Sequence, residues 1–90
     1  SLPDGELVFK VSAKGERAIG EWPYMIVWLN DKMIGGEWVT SDDWEFYHFQ
    51  KNIKRGQYKI SVEFINDYYA ESPKEDRNLF VGDLEIFQFE

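Results

Sequence analysis

The 90-residue sequence has no cysteine, only one histidine (His48), three prolines and ten basic residues against seventeen acidic ones. The missing cysteine excludes a disulfide framework, a zinc finger, a thiol nucleophile and an iron–sulfur site. The shortage of basic residues gives a formal charge of −7, which argues against nucleic-acid and anionic-membrane partners, since both require a cationic face. No apolar run approaches the roughly 20 residues of a membrane-spanning helix. Gly-x-Ser-x-Gly, His-Glu-x-x-His and a Gly-rich phosphate loop are all missing. His48 lies between Tyr47 and Phe49 in a strand-like run and reads as a structural or surface residue. Seventeen carboxylates make some glycosidase-like pair unavoidable, so their number says nothing about catalysis. A single small domain also offers little depth for a cleft, and the sequence reads as non-catalytic.

What is present is a run of alternating apolar and polar segments divided by turn residues. Residues from Glu6 to Ala13 put Leu7, Phe9 and Val11 on one side. After Pro23, Tyr24, Ile26 and Trp28 alternate with Met25, Val27 and Leu29, both sets apolar, as in a central strand. Asn30-Asp31 predicts a turn, and Met33 to Thr40 its returning partner, where Gly35-Gly36 marks a bulge or a close backbone approach. Further strands are predicted from Glu45 to Gln50, from Gln57 to Ile65 and from Leu79 to Phe89, the last changing face around Gly82. No helical period and no repeat is visible. The pattern predicts one all-β domain, a compact antiparallel β-sandwich of jelly-roll type. Phe9, Trp28, Phe64 and Phe80 are expected in its core. The sequence opens at Ser1 without an initiator Met or a signal peptide, as expected for a module excised from a longer protein.

The acidity is local. Residues 63–85 hold seven acidic and two basic side chains, net −5, while the other 67 residues carry only −2. Within this stretch the thirteen residues 66–78 are expected to form a long loop, and loops of that length in compact domains tend to be functional. Gathered carboxylates must separate, be neutralised or enclose a cation, and oxygen donors of this kind suit Ca²⁺. The alternative is a solvated acidic loop. An EF-hand is excluded, because counting from Asp67 the sixth position is Ser72 and not Gly. The Asp42-Asp43 pair reads either as a second ion site or as a solvated turn.

The runs Phe64-Ile65-Asn66-Asp67-Tyr68-Tyr69 and Glu75-Asp76-Arg77-Asn78-Leu79-Phe80-Val81 resemble the signature of calcium-dependent xylan-binding modules. These are carbohydrate-binding module family 60 and its circularly permuted relative, family 36. Val11, Ala13 and Gly15, the Pro23-Tyr24-Met25 strand entry, and the Gly56, Tyr58, Ile60, Val62, Phe64 strand agree with it. One departure is Gly82, where the family places an acidic residue; here Asp83 follows one position later.

The resemblance implies a secreted, non-catalytic β-sandwich, attached to a glycoside hydrolase or similar enzyme, that binds plant polysaccharide through a bound calcium. The sugar's O2 and O3 hydroxyls would replace water on the metal. Xylan is the expected ligand, with galactan and glucan as alternatives. It also implies Asp67, Asp76 and Asn78 as metal ligands, with the backbone carbonyls of Glu75 and Arg77 as additions. The Arg77 side chain is alternatively expected to hold a carboxylate. Tyr68, Tyr69, Trp22 and Trp44 are the candidate sugar contacts, since sugar C–H faces pack on aromatic rings. A β-sandwich spacer or protein-interaction module with a purely structural calcium is the other reading.

Overall fold

A computed structural model of the chain describes residues 1–89. Seven strands follow in order: β1 (Gly5–Glu16), β2 (Tyr24–Leu29), β3 (Lys32–Trp38), β4 (Glu45–Ile53), β5 (Ile60–Phe64), β6 (Tyr68–Glu71) and β7 (Lys74–Gln88). They form two antiparallel sheets, one ordered β4-β1-β7-β6 and the other β3-β2-β5. The result is the all-β sandwich that the alternating pattern predicts.

Alternation decides which side chains meet between the sheets. Leu7, Phe9, Val11 and Ala13 of β1 face Met25, Val27 and Leu29 of β2, and all seven are buried. Val39, just after β3, and Phe49 and Ile53 of β4 complete the core. Of the two apolar faces of β2, the odd-numbered one is interior. Tyr24, Ile26 and Trp28 lie on the outer face, half-buried. Trp28, expected in the core, instead donates its indole N–H to Glu63 Oε1 at 2.9 Å. Phe64 stands opposite Met25 and is also only half-buried.

Two connections are tight for readable reasons. Leu29 and Lys32 pair across Asn30-Asp31, and Asn30 takes a positive φ of 57°, which Asn tolerates in a two-residue hairpin turn. Its Oδ1 accepts from the Lys59 amide at 2.8 Å and so anchors the approach to β5. Between β1 and β2, Ala18 and Glu21 exchange two backbone hydrogen bonds of 3.0 Å around Ile19 and Gly20. The Gly35-Gly36 signal is likewise physical. The β2–β3 register shifts between Val27 and Trp28, and a Cβ at Gly35 would lie 2.5 Å from the Phe49 ring.

The expected loop of residues 66–78 is a hairpin. Tyr68 to Glu71 pair with Lys74 to Arg77 around Ser72-Pro73, whose peptide bond is cis. The last strand therefore starts at Lys74, five residues earlier than its apolar residues suggest. Phe80, expected inside, is 42% exposed. The reason is a bulge: Ala13 pairs with Val81 but Val11 with Leu84, so the strand gains a residue at Gly82-Asp83. Leu84 and Ile86 therefore share the parity of Leu79 and Val81, not that of Phe80.

Candidate functional site

The candidate ligands lie where the β6–β7 hairpin continues the outer surface of the four-stranded sheet. Paired residues of an antiparallel ladder share a face. Tyr69 pairs with Asp76, and Asn78, two residues further on, pairs with Glu16 of β1. Asp67 is exposed just ahead of β6, before the Tyr68–Arg77 pair. Tyr69, Asp76, Asn78 and Glu16 thus belong to one side, and of these only Asn78 is not exposed outright. Asn78 Nδ2 donates to Glu16 Oε1 at 2.8 Å, which fixes the amide with its oxygen unspent.

Between them, Arg77 faces the other way and is 4% exposed. Its Nε donates to the Glu21 carbonyl at 3.0 Å, one terminal nitrogen to the Ala18 carbonyl at 2.8 Å and the other to the Asn66 carbonyl. The Glu21 carboxylate stands 3.8 Å away. The ring of Tyr68 lies beside the guanidinium, whose carbon is 5.5 Å from the ring centroid. Asn66 adds a second clamp: its Oδ1 accepts from the Tyr24 amide at 2.8 Å and its Nδ2 donates to the Trp22 carbonyl at 3.0 Å. These two side chains weld the hairpin to the loop that carries Trp22. Glu75 pairs with Ala70 and shares the parity of Arg77, so the backbone is what either residue offers on the outer side.

Trp44 is half exposed and lies on the same outer surface. The Lys14 ammonium is 5.0 Å from its ring centroid and 5.5 Å from that of Phe80. Trp22 is reached around the end of β1. There Gly15, Glu16, Arg17, Trp22, Thr40, Ser41 and Asp42 line a cleft of about 530 Å³. A smaller cleft lies at the other end of β1, beside Asn30 and Ile53. Asp42 and Asp43 are exposed, and the Asp43 amide donates to Ser41 Oγ at 3.0 Å.

The structure therefore sets Tyr69, Asp76, Asn78 and Glu16 on one side of the paired strands, with Asp67 exposed just ahead of β6 and Trp22 in the cleft that Glu16 also lines. It turns the side chains of Tyr68, Glu75 and Arg77 away. Sequence reasoning missed Glu16 and Arg17. Glu16 lies beyond the Glu6–Ala13 alternation, and its place beside Asn78 follows only from the β1–β7 register. Among the described residues no three His, Asp or Glu side chains converge into a group that could hold a metal ion. Two carboxylates with an amide oxygen, backbone carbonyls and water are still a donor set that Ca²⁺ accepts, being all oxygen and geometrically undemanding.

A sandwich with an exposed, oxygen-lined sheet end and aromatic rings beside it belongs to the class of ligand-binding modules. The profile of the Ca-dependent, xylan-binding carbohydrate-binding modules, CBM60, matches residues 8–88, and the chain belongs to that family. The family is one of non-catalytic carbohydrate-binding modules, and calcium is its ion. No curated protein and no solved structure matches this chain.

Proposed function

We propose that this chain binds xylan by letting the vicinal hydroxyls of a sugar complete the coordination of a Ca²⁺ held at the β6–β7 hairpin. Asp67, Asp76 and Asn78 supply side-chain oxygens, and the Glu75 and Arg77 carbonyls are the nearby backbone donors. Tyr69 and Trp44 offer rings on the same side, and Trp22 offers one in the adjoining cleft. The observation that carries this reading is the alternation around Arg77. Asp76 and Asn78 stand outward on either side of a buried arginine, so the two donors are held on one surface by a strut anchored at three carbonyls.

Calcium supplies an exchangeable coordination shell that admits neutral oxygens, which a neutral polysaccharide has in abundance. Two adjacent hydroxyls replace two waters with little loss of freedom beyond that of one sugar ring. Recognition by a diol reads few atoms, so galactan and glucan with the same local diol are secondary ligands. In this reading the chain acts outside the cell as a module of a polysaccharide-degrading enzyme.

Affinity electrophoresis in a xylan-containing gel tests it. Retardation that EDTA abolishes and added calcium restores is the expected result. Calcium that raises the melting temperature with no retardation on any polysaccharide would overturn it in favour of a structural ion in a spacer domain. Release of soluble sugar from the polysaccharide would overturn it in favour of an enzyme.

A further inference from the structure

The cleft beside β1 contains a cation that the calcium–diol contact does not use. Arg17 lines it together with Trp22, Thr40, Ser41, Glu16 and Asp42. The guanidinium carbon lies 5.5 Å from the centroid of the Trp22 ring, within cation–π range. Among the described residues the only ion pair is that of Arg77 with Glu21, so no carboxylate comes within 4.0 Å of Arg17. No hydrogen bond engages its guanidinium there either. In a chain of charge −7 this is a cation left available. The opposing groups in the cleft are Glu16 and Asp42. Glu16 is engaged by Asn78 at 2.8 Å.

The cleft and the candidate metal site share Glu16, which lines one and bonds to the other. A polysaccharide held at Asn78 would therefore present whatever branches from its neighbouring residue to the cleft. The volume, about 530 Å³, falls in the range of small-ligand sites and accommodates a single sugar substituent. Its lining offers the Trp22 ring, two hydroxyls and one bidentate cation beside the carboxylates of Glu16 and Asp42. A sugar acid meets it through its charged end: carboxylate on Arg17, hydroxyls on Thr40 and Ser41, and Glu16 and Asp42 as acceptors for further sugar hydroxyls.

We propose that Arg17, beside Trp22 in this cleft, receives the carboxylate of a uronic acid substituent on the bound polysaccharide, so that the preferred ligand is an acidic, glucuronic-acid-substituted xylan. This rests on the calcium–diol reading above. The test is calorimetric titration, in calcium, of a xylo-oligosaccharide bearing one glucuronic acid branch, the same oligosaccharide with its carboxyl group reduced to the alcohol, and the unbranched oligosaccharide. The intact acid is expected to bind roughly tenfold more tightly than the reduced form, a difference that shrinks with added salt. Arg17→Gln is expected to bring the acid down to the affinity of its reduced counterpart. Arg17→Lys is expected to keep part of the preference, since a point charge replaces the fork. Equal affinity for acid and reduced forms in the native chain, with the unbranched oligosaccharide still bound, overturns this proposal and leaves the calcium–diol reading standing. A preference that survives in a folded Arg17→Gln chain also overturns it. Failure to bind the unbranched oligosaccharide in calcium overturns the calcium–diol reading itself.

Discussion

Asn78 on β7 donates to Glu16 on β1 through a 2.8 Å side-chain hydrogen bond, tying a candidate calcium ligand to the strand that carries the core. Groups that orient a ligand commonly weigh 10- to 100-fold in metal affinity. Glu16→Ala is expected to weaken calcium binding about tenfold by freeing the Asn78 amide. Glu16→Gln, which can still accept the hydrogen bond, is expected to recover most of it. Calcium titration by calorimetry of the two variants reads the difference, and equal losses in both would assign Glu16 a charge role instead of a positioning one.

Asp76 is exposed and faces away from the core, so its carboxylate has no part in packing. Exposed substitutions of this kind shift stability by about 0.5 kcal/mol or less. Asp76→Ala is therefore expected to melt within a few degrees of the native chain in EDTA. The native chain should gain about 2.7 kcal/mol at a calcium concentration a hundred times its dissociation constant, and the variant far less at the same concentration. For a domain of this size that gain is a rise in melting temperature of roughly 10 °C or more. Differential scanning calorimetry with and without calcium compares the two. An unchanged calcium response in Asp76→Ala would remove this residue from the site.

Arg77 behaves in the opposite way. It is buried, and its guanidinium satisfies the carbonyls of Ala18, Glu21 and Asn66. Truncation to Met keeps the stem but leaves the Asn66 carbonyl without a donor, an orphan costing on the order of 1–3 kcal/mol, while the Ala18 and Glu21 carbonyls keep each other's amides. Arg77→Met is expected to destabilise the fold by about 2 kcal/mol in urea denaturation without calcium. Arg77→Lys should fall between, since one ammonium cannot reach three carbonyls set around a planar fork. A loss below about 1 kcal/mol in Arg77→Met would mean that the loop from Arg17 to Pro23 is held by other contacts.

The strands that could be read from the sequence are those whose alternation faces the core. Leu7, Phe9 and Val11 predict β1, and Ile60, Val62 and Phe64 predict β5, because burial imposes period two. β6 is invisible by that criterion: Tyr-Tyr-Ala-Glu at the sheet edge has no buried partner face to impose a period, and its pairing follows from the Ser72-Pro73 turn. The candidate ligands Asp67, Asp76 and Asn78 were legible as residues, through the resemblance of their motifs. The common surface of Asp76 and Asn78 was not, since it depends on the hairpin register. Glu16 and Arg17 join the site only through the β1–β7 pairing and the cleft beyond it, which link positions about 60 residues apart in sequence. Phe80 misled because a bulge cannot be counted from the apolar pattern alone.

That bulge supplies a last test. A Cβ built on Gly82 would lie 2.6 Å from Ser12 Oγ and 3.1 Å from the Trp44 ring. Ser12 cannot yield freely, because its Oγ accepts from the Asp83 amide at 2.7 Å and that bond closes the bulge. Trp44 can yield, being half exposed, with the Lys14 ammonium over its ring. Gly82→Ala is therefore expected to cost about 1–3 kcal/mol, the usual penalty for overpacking, and to push the Trp44 ring off β7. In the Trp44→Ala background the same substitution should cost less but not become neutral, since the Ser12 clash remains. A double-mutant cycle by urea denaturation gives the coupling, expected at about 0.5 kcal/mol or more for groups in direct contact. Additive effects would show that the glycine serves the Ser12–Asp83 bond alone. Strong coupling would explain why a glycine stands where the family places an acidic residue: it is the floor on which the Trp44 ring rests.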